Sequence, residues 1–185
     1  MAGQAFNDAS SMRRVLVAGG VSIWFIAHAD NTMDDEVIAG EPMAERDRFP
    51  VVVHVLVYEG VSFVLLKRAY TGFMDGYYAL PGGHQQTGES VSQAAHRECA
   101  EELGIRTRVL VPECVLPYRS GRHQGVNFIF SCRDYEGAPL INEPDLFDEL
   151  CWVGAERLPA PHAEWIPWAL ELAGGSGWYR ELEWD

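Results

Sequence analysis

The stretch "GGHQQTGESVSQAAHRECAEELGI", residues 82–105, places a turn-forming sequence with three glycines directly before a densely charged segment. The ends of that segment can be read from its residues. Ser90, followed three residues later by Gln93, predicts an N-terminal capping box, and Gly104 predicts a C-terminal stop. The sequence therefore predicts one well-delimited helix between Ser90 and Gly104.

The charge of this helix is concentrated. Glu98, Glu101 and Glu102 stand at positions i, i+3 and i+4, so their carboxylates crowd one face. Such pairs of like charge destabilise an exposed helix by some tenths of a kcal/mol each. Arg97 reaches Glu101 at i+4, but one arginine does not neutralise three acids. A hard divalent cation does, since carboxylate oxygens are its preferred ligands. The opposite side is small and apolar enough to lie against a sheet: Val91, Ala94, Ala95, Cys99 and Leu103.

A solvated acidic helix face is the ordinary alternative for three glutamates alone. The preceding loop favours the cation. Gly82-Gly83 and Thr87-Gly88 allow the backbone to fold tightly over the helix and to expose a carbonyl or amides beside the acids. Together, the loop and the helix predict a metal and diphosphate site.

The flanking segments predict a sheet. "VVVHVLVYEG" (51–60) and "VSFVLLKRA" (61–69) are two β-branched runs separated by Glu59-Gly60, which indicates a hairpin. A short strand ended by Pro81-Gly82-Gly83 is predicted at "YYALPGG" (77–83). Further strands are predicted at "RTRVLVPECVLPY" (106–118), "VNFIFSCRD" (126–134) and "DELCWVG" (148–154), followed by a helix from Pro161 to Gly174. This order predicts an α/β (α+β) fold in which a mixed β-sheet is sandwiched between α-helices.

Composition limits the function. The 185 residues suffice for one ordinary domain, and 48% hydrophobic with 22% charged residues is typical of a globular chain. The formal net charge of -13 disfavours polymeric nucleic acid as a partner, because no basic run longer than Arg13-Arg14 offsets it. A small phosphorylated substrate is compatible with this charge if divalent cations accompany it. The four cysteines form no CxxC pair, which favours buried thiols.

The N-terminal segment "MRRVLVAGGVSIWFIAHA", residues 12–29, is similar to a secretion signal, because Arg13-Arg14 precede an apolar run. That run is too short to span a bilayer as a helix. A buried strand or helix, or an extension upstream of the domain, are the alternatives. We favour an extension over residues 1–48 and a domain over residues 49–185, and we expect a cytoplasmic protein with no membrane partner.

Nine positions of the opening stretch carry a family resemblance: Gly83, Glu89, Arg97-Glu98, Cys99, Glu101-Glu102, Gly104 and Ile105. Their spacing resembles the box of the Nudix hydrolases, and only Cys99 departs from it, standing where a larger aliphatic residue is usual. The flanking "LPGGH" and "NEPDLFDELCWV" (142–153) are similar to MutT-like members. The resemblance extends over roughly residues 48–172.

The resemblance implies a Nudix fold and a magnesium or manganese cofactor. By family analogy, the carboxylates of Glu101 and Glu102 and the carbonyl of Gly83 are metal ligands. Glu98 is a ligand or the base that activates water. Arg97 orients Glu98, and Glu89 supports the loop and the metal network.

Residues outside the box carry weaker predictions. Glu143 is the candidate for an additional carboxylate, with Asp145 and Glu149 nearby. His84 is a candidate phosphate contact or a loop residue, and His54 either lines a substrate cleft or belongs to the core. Candidates for stacking on a base, with core packing as the alternative, are Phe73, Tyr77 and Trp152. Trp165 and Trp168 indicate core packing or the contact of a homodimer.

These features together predict a metal-dependent pyrophosphohydrolase that cleaves a diphosphate linkage in a nucleoside triphosphate or related small nucleotide. The alternatives are hydrolysis of another linked diphosphate, such as a nucleotide sugar or dinucleoside polyphosphate, and a noncatalytic Nudix-like ligand-binding module. An exported or envelope-anchored interaction protein rests on residues 15–27 alone. The intact set of box acids favours the enzyme.

Overall fold

The computed structural model of the chain describes residues 12–17, 21–26 and 47–183. The chain divides into two compact units, Met1–Arg46 and Asp47–Asp185. In the first unit, strands β1 (Met12–Val17) and β2 (Val21–Ile26) form an antiparallel pair. The remainder of the signal-like segment and of the proposed extension lies outside the described residues. Within the described ranges, no helix has the length and apolar character needed to cross a membrane.

The second unit contains seven strands, two helices and a π-helical turn. The strands are β3 (Val51–Glu59), β4 (Ser62–Arg68), β5 (Tyr78–Ala79), β6 (Gly82–His84), β7 (Arg106–Ser120), β8 (His123–Glu136) and β9 (Phe147–Val153). The helices are α1 (Val91–Leu103) and α2 (Ile166–Glu171), and the π-helical turn, Leu172–Ser176, continues α2. Strand order is β5-β4-β3-β8-β7, with β6 paired to β3 and β9 paired to β4.

Strands β3 and β4 form the predicted hairpin but stay together only beside the turn. Their register contains two pairs, Tyr58 with Phe63 and Glu59 with Ser62. Beyond these pairs, β3 pairs with β6 in antiparallel orientation and with β8 in parallel orientation. Strand β4 pairs with β5 and β9. The sheet therefore opens between the first half of β3 and the second half of β4. The link from β5 to β6 crosses this opening, where the Val55 amide donates to the Pro81 carbonyl at 2.9 Å.

Hydrophobic clusters cover both faces of the sheet. On one face the side chains of β3, β4 and β8 pack against α1, through residues that include Val53, Val55, Ala95, Cys99 and Leu103. On the other face a second cluster contains α2, through residues that include Leu56, Phe63, Ile129, Ile166 and Ala169. A mixed sheet between helices is the predicted fold class, and the structure confirms it.

Two predicted elements were wrong in part. The last helix begins at Ile166 rather than at Pro161, because the preceding residues hydrogen-bond to β5 instead. The Tyr78 amide donates to the Pro161 carbonyl at 2.9 Å, and the Ala163 amide donates to the Tyr78 carbonyl at 2.8 Å. A segment held in this bridge to a strand cannot have the dihedral angles of a helix.

The sequence predicts that Gly82 and Gly83 end a strand and begin a loop, whereas both belong to the short strand β6. Gly83 pairs with Val53, and Gly82 pairs with His54. A Cβ atom on Gly82 would lie 2.0 Å from the Val53 carbonyl oxygen, so only glycine allows this approach. The glycines therefore serve close contact with β3 rather than a turn.

Candidate functional site

Helix α1 has the predicted ends. Ser90 Oγ accepts from the Gln93 amide at 3.2 Å, and Gln93 Oε1 accepts from the Ser90 amide at 2.7 Å. Gly104 closes the helix in the left-handed conformation, with φ of 66°. Both termini are thus fixed by local interactions, which set the rotation of the acidic residues about the helix axis.

Arg97 is the centre of the charged network. Its Nε and Nη2 donate to the two oxygens of Glu89, at 3.1 and 2.8 Å. Its Nη1 donates to Glu98 Oε1 and to Glu101 Oε2, both at 2.7 Å. Its Nη2 also donates to the His84 carbonyl at 3.0 Å. These five bonds use all five donors of the guanidinium.

The acids are not all on the solvent side of the helix. Glu98 and Glu102 expose only 8% and 5% of their surface to solvent, whereas the Glu101 side chain exposes 47%. The expectation of an apolar face opposite an acidic one was therefore too simple. Glu102 Oε2 accepts from the Gly82 amide at 2.8 Å, so β6 supplies the predicted amide beside the acids. A Cβ atom on Gly83 would lie 2.5 Å from Glu98 Oε1, which shows how closely the strand covers that carboxylate.

Burial changes the acidity of these groups. Burial raises the pKa of Glu102 well above its ordinary value, the Gly82 amide opposes this, and the charges of Glu98 and Glu143 raise it further. Burial likewise raises the pKa of Glu98, although Arg97 lowers it in part. In contrast, the hydrogen bonds from Arg97 lower the pKa of Glu89. Arg97 thus compensates Glu89 well and leaves Glu98 and Glu102 short of positive charge.

The segment after β8 reaches the C-terminal end of α1. The Asn142 amide donates to the Glu102 carbonyl at 2.9 Å, and Asn142 Nδ2 donates to the Glu101 carbonyl at 2.8 Å. These bonds bring the next residue, Glu143, near enough to influence the pKa of both Glu98 and Glu102. Asn142 could not be recognised from the sequence, because its partners are carbonyls about forty positions away.

A metal site is predicted at Glu98, Glu101 and Glu102. Among residues 47–183, no three side chains of His, Cys, Asp or Glu already converge in a geometry that holds a metal ion. Arg97 Nη1 lies between Glu98 and Glu101, where it bridges their oxygens. The donor set nevertheless fits a hard cation, because Glu102 is buried without an ion pair within residues 47–183 and the pKa values of Glu98 and Glu102 are both raised.

The other predicted site residues differ in their exposure and in their contacts. His84 is exposed and contributes its carbonyl to Arg97. Trp152 is half-buried and packs against the core on the α1 face, which favours the core-packing alternative. Phe73 and Tyr77 are exposed on the segment between β4 and β5, at 67% and 37%. Of the alternative carboxylates, Asp145 is exposed, and Glu149 lies 3.7 Å from Lys67 Nζ.

His54 lies on the α2 face of β3, where its buried ring favours the core alternative. Its ring stacks on Trp165, with centroids 4.0 Å apart. Its Nδ1 is buried and has no hydrogen-bond partner among the residues that the structure describes. Burial lowers the pKa of His54 to about 4, against a smaller raising effect of the nearby Asn127 side chain. The imidazole is therefore neutral at physiological pH.

Comparisons with known proteins agree with this arrangement. A family model of the NUDIX domain matches residues 48–171. A putative 8-oxo-dGTP diphosphatase 2 of Mycobacterium tuberculosis is 31% identical over 129 residues, which cover 66% of this chain and 87% of that protein. The uncharacterized Nudix hydrolase YfcD of Salmonella typhi is 31% identical over 145 residues, which cover 75% of this chain and 77% of that protein.

A solved structure shows the same fold. The crystal structure of a MutT NUDIX hydrolase from Burkholderia pseudomallei matches with a TM-score of 0.64 at 27% identity, covering 68% of this chain and 98% of that chain. The box residues, the fold and these relatives therefore agree, and the chain belongs to the Nudix family of hydrolases.

Proposed function

We propose that the chain is a divalent-cation-dependent pyrophosphohydrolase that cleaves a diphosphate linkage in a nucleoside triphosphate or a related small nucleotide. One observation carries the proposal. Glu98 and Glu102 are buried side by side against β6, and the guanidinium between the acids has no donor left for Glu102. Burial of two carboxylates without full compensation costs stability, which a function requiring a cation explains.

The residues that would hold the cation are those that the Nudix resemblance assigns to it. Glu102 and Glu101 contribute carboxylate oxygens, and Gly83 contributes its carbonyl from the strand that covers the acids. When bound, Mg²⁺ or Mn²⁺ supplies positive charge for the phosphate oxygens. Glu143, which Asn142 holds at the end of α1, is the candidate for a further oxygen.

Glu98 is the proposed base. Its raised pKa makes it a better proton acceptor than an exposed carboxylate, and Arg97 holds its Oε1 at 2.7 Å. A water molecule gives its proton to Glu98, and its oxygen attacks a phosphorus atom. The bond from that phosphorus to the bridging oxygen breaks, and the leaving phosphate takes the electron pair. Arg97 and Glu89 act by orienting Glu98.

The relatives suggest a substrate class. Similarity to a protein named as a putative 8-oxo-dGTP diphosphatase makes 8-oxo-dGTP and unmodified dGTP the first compounds to test. The base would contact groups outside the box, and of the three predicted stacking residues Phe73 and Tyr77 remain exposed, whereas Trp152 packs against the core.

A panel of nucleotides tests the proposal. Nucleoside triphosphates, nucleotide sugars and dinucleoside polyphosphates are each incubated with the full-length protein and Mg²⁺, and phosphate and pyrophosphate are measured separately. We expect a nucleoside monophosphate and pyrophosphate from a triphosphate, with no turnover after chelation. Preference for a nucleotide sugar would change the substrate class, and absence of any hydrolysis would refute the enzyme.

A further inference from the structure

The carbonyl end of α1 is closed by a segment that lies about forty positions further along the chain. The last four carbonyls of a helix have no partner within the helix itself. Three of those of α1 accept from the segment after β8, namely the carbonyls of Glu101, Glu102 and Leu103. Asn142 donates to the first through Nδ2 at 2.8 Å and to the second through its amide at 2.9 Å. The Leu140 amide donates to the third at 3.1 Å. Asn142 therefore joins two turns of contact in one residue.

Glu143, the residue after Asn142, is a half-buried acid without a positive partner. Among residues 47–183, no cation forms an ion pair with its side chain, and no group donates a hydrogen bond to it. Its negative charge raises the pKa of Glu98 and of Glu102, so it lies beside them. Like charges repel each other, and a carboxylate free to move would turn to solvent. The surrounding chain therefore holds Glu143 in an unfavourable position.

The main chain of Glu143 is also fixed on the side away from α1. Pro144 follows it and restricts its backbone to an extended conformation. The Glu143 carbonyl accepts from the amides of Leu146 and Phe147, at 3.0 and 3.1 Å. The Leu146 carbonyl in turn accepts from the Ala69 amide, at 2.8 Å, just after the end of β4. This turn is thus attached to the sheet, and the Asn142 side chain attaches it to the helix.

We propose that Asn142 is a positioning residue, which holds the Glu143 carboxylate beside Glu98 and Glu102 by hydrogen-bonding to the carbonyl end of α1. There Glu143 contributes an oxygen to the cation site. This inference rests on the proposed cation-dependent function. It adds a residue that touches neither the cation nor the substrate, and on which the affinity for the cation depends.

Titration of the full-length protein with Mn²⁺ alone, followed by the electron paramagnetic resonance signal of the free ion, tests the inference. The proteins are the wild type, Asn142→Ala, Glu143→Gln and the double variant. We expect Asn142→Ala to raise the Kd for Mn²⁺ roughly tenfold, because the partners that orient metal ligands commonly have effects of this size. Glu143→Gln should raise it at least as much. The double variant should match Glu143→Gln, since Asn142 acts through Glu143.

Ser131→Ala is a matched control. Its hydroxyl donates to Glu113 and so joins β8 to β7, and its replacement leaves the net charge unchanged, as that of Asn142 does. We expect Ser131→Ala to lower the melting temperature and to keep the wild-type Kd for Mn²⁺. Asn142→Ser retains a hydroxyl donor and should recover part of the affinity that Asn142→Ala loses.

Melting curves with a chelator give a second reading that needs no cation. Glu143→Gln should raise the melting temperature by roughly 2–4 °C, because it removes one of three neighbouring negative charges. In the Asn142→Ala background the gain should be smaller, since the carboxylate is no longer held near the other two. If Asn142 serves only to close the helix, the gain is the same in both backgrounds, and the inference is overturned.

These outcomes are separate from those of the proposed function. If the wild type hydrolyses no nucleotide, the proposed function fails, whereas a loss of Mn²⁺ affinity shared by Asn142→Ala and Glu143→Gln still supports the role of Asn142. Equal affinity of the wild type and Asn142→Ala contradicts that role. Additive losses in the double variant, or no Mn²⁺ binding by the wild type, contradict it as well.

Discussion

Among single residues, Arg97 connects the acids of the box, because it hydrogen-bonds to Glu89, Glu98 and Glu101. The i+4 contact with Glu101 was predicted from the sequence, and the structure shows it at 2.7 Å. The contacts of Arg97 with Glu89 and the His84 carbonyl depend on the path of the loop before α1, which residue spacing does not specify. The burial of Glu102 was missed for the same reason, because strand β6 covers it.

The unequal burial of the acids predicts opposite effects of two similar substitutions. Glu102→Gln should stabilise the metal-free protein, because an uncharged amide replaces a buried charge. The melting temperature should rise by roughly 2–4 °C for each kcal/mol gained in the free energy of unfolding. Glu101→Gln should not raise it, since Glu101 is half-exposed and forms an ion pair with Arg97. Both should reduce turnover by orders of magnitude. Melting curves with a chelator and kcat with Mg²⁺ measure these effects, and near-wild-type activity of either variant would contradict its metal role.

The raised pKa values of Glu98 and Glu102 predict how stability depends on pH. Because their folded-state pKa values lie above the ordinary value of 4.5, the native state retains protons that the unfolded state has released. Their contribution to stability is complete below that value and is lost as the pH rises through the raised pKa values. We expect the metal-free wild type to lose stability, relative to the Glu98→Gln/Glu102→Gln variant, as the pH rises above the ordinary carboxylate pKa of 4.5. Urea unfolding measures this difference, and parallel curves for the two proteins would exclude it.

Among the elements, those with local signals were predicted best. Helix α1 has its capping residues within its own sequence, so its ends were readable. The hairpin of β3 and β4 was similarly visible from two apolar runs around Glu59-Gly60. The start of α2 was not, because the contact of Tyr78 with Pro161 and Ala163 joins segments about eighty residues apart. Strand β6 was also missed, since its identity depends on pairing with β3 and not on β-branched residues.

The glycines of β6 predict a separation of stability from activity. In Gly82→Ala the new Cβ meets backbone, 2.0 Å from the Val53 carbonyl oxygen and with φ of 152°, so we expect a strongly destabilised protein. In Gly83→Ala the new Cβ meets the end of the Glu98 side chain, which can move. This variant should fold better than Gly82→Ala but lose activity.

Gly174→Ala is the control, because its Cβ would have no neighbour within 4 Å. Melting temperature and kcat measured together distinguish the three variants. A Gly83→Ala protein with wild-type kcat would show that the position of Glu98 is not critical for turnover.

For the whole molecule, the division after Arg46 supports a proposal about domain organisation. We propose that the residues from about 49 onward form an independent catalytic domain and that residues 1–48 are an extension. The unit Asp47–Asp185 has its own two clusters of buried residues, and the NUDIX family model begins at residue 48.

The fold class and box were predictable because they follow from local pattern. The opening between β3 and β4 could not be predicted, because it arises from four different strand pairings.

Deletion of residues 1–42 tests this organisation. We expect a folded protein with the melting temperature and kcat of the full chain, because the first strand of the domain begins at Val51. Circular dichroism and the nucleotide assay provide the comparison. An aggregated or inactive truncation would indicate that the N-terminal residues are required by the catalytic unit.

The most direct test of the central claim, that the buried acids of α1 hydrolyse a nucleotide diphosphate linkage, is ³¹P NMR of a nucleoside triphosphate incubated with Mg²⁺. The wild type and Glu98→Gln are compared at equal concentration, after both have been shown to melt cooperatively. The account predicts that the wild type releases pyrophosphate and a nucleoside monophosphate, and that Glu98→Gln slows this release by at least about a hundredfold. Equal rates for the two proteins, or intact substrate with the wild type across the nucleotide panel, would contradict it.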